Sequence, residues 1–168
     1  ENLIIKYLKN ISRNYPLVNF FIAPRHPNRS KSVYNLIKNK NLDVAYHSKS
    51  SNFDSKFLII DSFGKMEEFF NKSDIVFLGG SLTKKGGHNP IEAALANCAI
   101  ITGPSVYNWE NLYDEMVISN SCIMINEAQE IEKQITNLIE NKGQIQNLKK
   151  NAQTFSKSVF FEEDKLLK

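Results

Sequence analysis

Asp74-Ile75-Val76-Phe77-Leu78-Gly79-Gly80-Ser81 opens the stretch that decides the fold, and Gly86-Gly87-His88-Asn89-Pro90-Ile91-Glu92 and Ala99-Ile100-Ile101-Thr102 continue it. Residues 74–78 are too few for a helix and rich in strand formers. A glycine-rich loop, 79–88, follows them directly. Asn89 then offers an N-cap, Pro90 suits the first helical position, and Glu92 has the spacing of a capping box. The helix is read over 90–97, and 99–102 is again a short apolar strand.

Outward from this stretch the same alternation repeats. Towards the N-terminus come an amphipathic helix over 2–13 carrying Leu3, Ile4, Tyr7, Leu8 and Ile11, a strand over 18–23, and a loop, Pro24-Arg25-His26-Pro27. A helix over 30–38, a strand over 42–46, a polar serine-rich loop over 47–55, a strand over 56–60 and a helix over 64–70 complete that side. Towards the C-terminus a helix over 108–115 and a strand over 122–125 lead to terminal helices over 127–141 and 144–155, with a polar, lysine-rich tail. Short apolar strands alternating with helices predict an α/β fold, a doubly wound parallel sheet covered on both faces. Ligands of such folds bind beyond the carboxyl ends of the strands. The loops 24–29, 61–65, 79–89 and 103–108 are therefore expected to line one site.

The 168 residues fit a single domain over 1–168. Hydrophobic residues at 42% and charged residues at 23% are ordinary globular usage and argue against disorder. A net charge of +3 is too small to imply a nucleic-acid partner. Cys98 and Cys122 read as buried reduced thiols. Three histidines without metal-ligand spacing predict no metal site, and nothing calls for a cofactor. No apolar run reaches the roughly 20 residues of a membrane span, and no signal peptide is visible. The chain starts at Glu1 directly in a helical pattern, which reads as a fragment or an excised domain.

Four groups of residues can carry chemistry. Gly86 and Gly87 allow close backbone approach beside Lys84, Lys85 and His88, and the helix start at Asn89-Pro90-Ile91-Glu92 reads as an anion or nucleotide site. The alternative is that these residues only turn the chain and cap a helix; with a phosphate at the helix start, Glu92 would face a ribose. Arg25, at a strand's carboxyl end, suits a phosphate or carboxylate, or is a surface arginine in a turn. Asp61-Ser62-Phe63-Gly64-Lys65 can read a base edge through its amides, with Phe63 on the base or in the core. Of the histidines, His26 reads as a loop hydrogen-bonder and His47 as a solvated loop residue. Trp109 reads as packing.

Ala23-Pro24-Arg25-His26-Pro27-x-Arg29, Gly79-Gly80-Ser81-Leu82, Gly86-Gly87-His88-Asn89-Pro90-Ile91-Glu92, and Gly103-Pro104 with Asn108-Trp109 together resemble 3-deoxy-D-manno-octulosonate (Kdo) transferases. The resemblance implies the C-terminal, donor-binding half of a GT-B glycosyltransferase with Rossmann-like domains. Its donor would be CMP-Kdo and its acceptor the lipid A precursor (lipid IVA) of lipopolysaccharide assembly. Carried over by position, Pro24-Arg25, Phe63-Gly64-Lys65 and Asn89-Pro90-Ile91-Glu92 are the CMP-contacting segments, with Gly86, Gly87 and His88 supporting the phosphate loop. Lys65 stands where the family commonly has an acidic residue. The resemblance also implies that the catalytic base, the acceptor domain, the first strand and a membrane-associating N-terminus lie upstream of Glu1. The chain would then act at the cytoplasmic face of the bacterial inner membrane as part of a longer protein, and be inactive alone. Another GT-B sugar-nucleotide enzyme (a UDP-sugar transferase or an epimerase) and a non-enzymatic nucleotide-binding module are the alternatives.

Overall fold

A computed structural model describes residues 2–50 and 55–166, with side chains described as far as residue 159. Part of the serine-rich loop, 51–54, and the ends of the chain, Glu1 and 167–168, lie outside the described residues. The chain divides into two compact units, Glu1–Phe69 and Phe70–Lys168.

The first unit is built from α1 (Ile5–Asn14), β1 (Phe20–Ile22), α2 (Ser30–Lys38), β2 (Val44–Tyr46) and β3 (Phe57–Ile59). Its sheet has the order β1-β3-β2, parallel throughout, with Phe20 and Val44 both opposite Phe57. The central strand β3 is buried along its whole length, as a continuous apolar run in a parallel sheet should be. α1 buries Ile5, Leu8 and Ile11, whereas Leu3 is 52% exposed. The helix therefore begins at Ile5, later than its apolar pattern implied, and Leu3 lies outside it. Leu58, Ile60 and Phe69 form a small core with Phe21 and Ala45 beside them.

α3 (Met66–Asn71) begins two residues later than the sequence pattern implied, because Gly64 takes a left-handed φ of +72° that no helix accepts. The second unit contains β4 (Ile75–Leu78), α4 (Ile91–Leu95), β5 (Ala99–Thr102), α5 (Glu110–Ile118), β6 (Ile123–Met124), α6 (Glu130–Glu140) and α7 (Lys142–Leu166). Its sheet, β4-β5-β6, is also parallel, and central β5 is fully buried. The α/β class with parallel strands holds, as two sheets of three strands each. α7 continues through residues read as the lysine-rich tail. Asn141 starts it, its side-chain oxygen accepting from the Gln144 amide at 3.0 Å. Lys149 of α7, 7% exposed, reaches Asp74 at 2.6 Å and fixes the helix to the entry of β4. Cys98 and Cys122 are free and buried. Burial pushes their thiols up, to about 11 and about 12 respectively.

Candidate functional site

In the first unit β1 ends at Ile22 and the chain turns through Ala23-Pro24-Arg25-His26 into a 3-10 turn, Pro27–Arg29, which runs on into α2. The Arg29 amide donates to the His26 carbonyl at 2.9 Å and closes that turn. Pro24 is buried, while Arg25 and His26 are exposed. A fixed turn thus presents the Arg25 guanidinium to solvent just past a strand's carboxyl end. Phe63 is 79% exposed, so it is a surface ring and not a core residue. Gly64 has open space where a Cβ would stand, and only its φ of +72° demands glycine. Lys65 meets Glu68 at 3.6 Å across one helical turn, an exposed pair worth little.

His47 departs from its expectation as a solvated loop residue. It opens a 3-10 turn, its ring stands edge-on to Phe69 at 4.9 Å, and among the described residues its buried Nδ1 has no partner. The cause is its place at the end of β2, over the apolar cluster of the sheet. Next to it, Ser48 donates its amide (3.0 Å) and its hydroxyl (2.5 Å) to the Asp61 carboxylate. Partial burial works to raise the Asp61 pKa, but the two Ser48 bonds and the neighbouring His47 prevail and hold it below the ordinary range. Asp61 also borders an open cleft of about 450 Å³ beside the stacked rings of Tyr34 and Tyr46. Pro24, Arg25, Phe63, Gly64 and Lys65 do not line it.

In the second unit the loops after β4 and β5 lock together. Ser81 is wholly buried; its hydroxyl donates to the Leu78 carbonyl (2.6 Å) and accepts the Gly103 amide (2.8 Å). Its carbonyl accepts the Ser105 amide at 2.8 Å. A Cβ on Gly103 would stand 2.5 Å from that carbonyl oxygen, which explains the glycine. Asn108 donates its side-chain amide to Lys85 (3.1 Å) and its backbone amide to Gly86 (3.3 Å). Gly86 and Gly87 both have left-handed φ, +81° and +70°. A Cβ on Gly86 would collide with the Asn108 side chain at 2.4 Å. Packing thus explains Gly86, and the left-handed φ explains Gly87, both independently of any ligand.

α4 starts much as the sequence implies. Asn89 Oδ1 accepts the Ile91 amide at 2.9 Å, and Pro90 already has helical dihedrals. The reciprocal half of a capping box is not made: among the described residues nothing bonds the Glu92 carboxylate, which is exposed. Since Pro90 has no N–H and Ile91 is occupied, the first turn has only the amides of Glu92 and Ala93 left to offer an anion. The helix is five residues long, so its dipole adds little. Trp109, read as packing, is 38% exposed; its backbone amide donates to Val106 and its carbonyl accepts from Tyr113.

Sequence reading missed the groups that hold these loops. Tyr113, 0% exposed, donates its hydroxyl to the His88 carbonyl at 2.8 Å. Inside an apolar helical pattern it carries no local signal beyond core packing. Ser81 and Asn108 stand within the resembling motifs, and nothing in their spacing declares their bonds. Among the described residues no cluster of histidine, cysteine or carboxylate side chains fits a metal, and no helix is long and apolar enough to cross a membrane.

No family model matches the chain. It is 30% identical over 163 residues to a 3-deoxy-D-manno-octulosonic acid transferase of Rickettsia conorii, covering 94% of this chain and 34% of the relative. It is 29% identical over 145 residues to the enzyme of that name from Haemophilus influenzae, covering 84% of this chain and 34% of the relative. The chain thus spans about a third of the length of these curated relatives. Its fold matches the C-terminal CMP-Kdo binding domain of WaaA from Acinetobacter baumannii with a TM-score of 0.86 and 24% identity, covering 92% of this chain and 81% of that domain.

Proposed function

We propose, for a chain related to the Kdo transferases along most of its own length, that it binds the CMP-Kdo donor of such a glycosyltransferase. The observation that carries this is the 30% identity over 94% of the chain. The surface presentation of Arg25, Phe63 and Glu92 supports it.

The reaction of the longer protein is displacement at the anomeric carbon of Kdo. The bond from that carbon to the phosphate oxygen breaks, CMP leaves with the electron pair, and a hydroxyl of the lipid A precursor attacks. In the first unit Arg25 offers a fork of donors to the donor's phosphate, where negative charge grows as CMP departs. Phe63 packs on the base, and the backbone of Gly64 and Lys65 reads its edge, so Lys65 in place of an acidic residue leaves this contact intact. In the second unit Glu92 accepts hydroxyls of the ribose. Its negative charge opposes a phosphate at the same point, and the few amides left at this helix start do not offset that. Asn89, Pro90 and Ile91 set the direction of this segment, and Gly86, Gly87 and His88 support it. No residue of the chain is assigned as the base. The acceptor lipid IVA and action at the cytoplasmic face of the inner membrane belong to the same proposal, and both rest on the resemblance.

The test is calorimetric titration of the chain with CMP, UMP and cytidine. CMP is expected to bind more tightly than both. A preference for UMP would turn the reading to another sugar-nucleotide enzyme, and no binding of any would refute it.

A further inference from the structure

Gly86 and Gly87 form a joint without side chains, and the chain beyond it is stiff. Asn89 closes on the Ile91 amide, Pro90 fixes its own φ, and α4 follows at once. The direction of Asn89–Glu92 is set from behind by α4, which buries Ile91, Ala93 and Ala94, and from in front by what holds the joint on its two sides. On the near side Asn108 binds the carbonyls of Lys85 and Gly86. On the far side the Tyr113 hydroxyl donates to the His88 carbonyl, at 2.8 Å. Tyr113 is itself held: it lies in α5 and is fully buried in the core with Ile100, Val106 and Met116. Burial pushes its phenol far above the ordinary tyrosine range, so the hydroxyl keeps its proton and stays a donor.

We propose that Tyr113 is a positioning residue of the donor site: its hydroxyl fixes the His88 peptide and thereby aims Glu92 at the donor's ribose. The proposal rests on the reading of Glu92 as a ribose contact. A Tyr113 that merely stabilised the core would not communicate with Glu92 in particular, and this difference is measurable.

The experiment compares Tyr113→Phe, Glu92→Gln and the double variant of the whole chain. CMP affinity is read by calorimetry, and hydrogen exchange of the Ile91, Ile100 and Ile101 amides by NMR. Tyr113→Phe is expected to speed exchange at Ile91 about tenfold and leave Ile100 and Ile101 in β5 unchanged. It should weaken CMP roughly fivefold, about one ordinary hydrogen bond, and less than about twofold when Glu92 is already Gln. Unchanged exchange at Ile91, unchanged CMP affinity, or the same loss in both backgrounds each overturns the proposal. If the parent chain does not bind CMP, the donor reading falls, and with it the aim at a ribose; exchange at Ile91 still decides whether Tyr113 holds the loop. Should Tyr113→Phe fail to fold, 3-fluorotyrosine at position 113 keeps the ring and makes its hydroxyl a stronger donor to His88; it should slow exchange at Ile91, and unchanged exchange there overturns the proposal.

Discussion

Arg25 and Glu92 make different demands on a substitute. A guanidinium that grips a phosphate through two parallel N–H groups uses a planar geometry that lysine lacks, whereas a nearby charge would survive the exchange. Arg25→Lys should therefore weaken CMP nearly as much as Arg25→Ala, by about 1.5–3 kcal/mol. Cytidine, lacking the phosphate, should bind parent and variants alike; calorimetry with both ligands checks this, and a Lys variant that binds CMP like the parent reduces Arg25 to a nearby charge. Among the described residues the Glu92 carboxylate caps nothing, so Glu92→Gln should change stability by well under the ~1 kcal/mol of a lost cap. Its effect should fall on CMP affinity, and a thermal melt alongside a titration separates the two. Asp61 gives a pH signature instead. Its folded pKa lies below the ordinary range because Ser48 donates twice to the carboxylate. The unfolded state then takes up its proton first as pH falls. The stabilisation is complete above the ordinary Asp value of about 3.9 and disappears as pH falls through the depressed folded value. Ser48→Ala should raise the Asp61 pKa in an NMR titration and flatten the loss of melting temperature below about pH 4.

Three asparagines mark where elements stop. Asn41, Asn97 and Asn120 follow α2, α4 and α5 with φ of 56°, 60° and 51°. After α4 the Cys98 amide returns to Ala93 (3.1 Å), and after α5 the Ser121 amide returns to Met116 (2.7 Å), as in a left-handed helix stop. Asn97 is exposed, so its side chain is free to change while its φ is not. Asn97→Gly should leave stability within a few tenths of a kcal/mol, and Asn97→Val should cost about 1–2 kcal/mol. Denaturant unfolding of both variants checks the pair, and equal stability of the two would remove φ as the reason for asparagine. These stops also show which parts of the fold could be read directly. The strands around 75–78 and 99–102 stood out because continuous apolar runs of that length in a parallel sheet permit little else. Helix ends stood out less, because asparagine in a left-handed turn looks like any polar residue. The sequence pattern ends α5 at 115, whereas the helix runs to Ile118 and its stop sits at Asn120. α7 runs on to Leu166, past the apolar pattern that ends at 155, and the bond that ties it to Asp74, from Lys149 across 75 residues, has no local signature. At the site, Arg25 and the glycine pair were visible as residues. The bonds from Asn108 and Tyr113 that restrain the glycine loop join segments distant in sequence.

At the scale of the molecule, the contact groups proposed for a donor belong to a chain of two compact units that spans about a third of the related transferases. Binding and turnover should therefore part company. A leaving phosphate can be stabilised by Arg25, and a ribose held by Glu92, without any group that takes a proton from an attacking hydroxyl. Positioned general-base catalysis is worth about 10²–10⁴-fold, and orientation of a second substrate a good deal more. On the proposed reading neither is supplied by these residues, and transfer should then run at a rate indistinguishable from the background reaction. We predict that the 168-residue chain binds CMP and CMP-Kdo in a calorimeter yet forms no Kdo-lipid product from CMP-Kdo and lipid IVA, followed by mass spectrometry of the lipid fraction. Product formed at a rate proportional to the amount of chain would contradict the assignment, because a base and an acceptor surface would then have to lie within these residues. Arg25→Ala controls for trace contamination. Turnover that belongs to the chain should fall with that variant, and turnover from a contaminating enzyme should not.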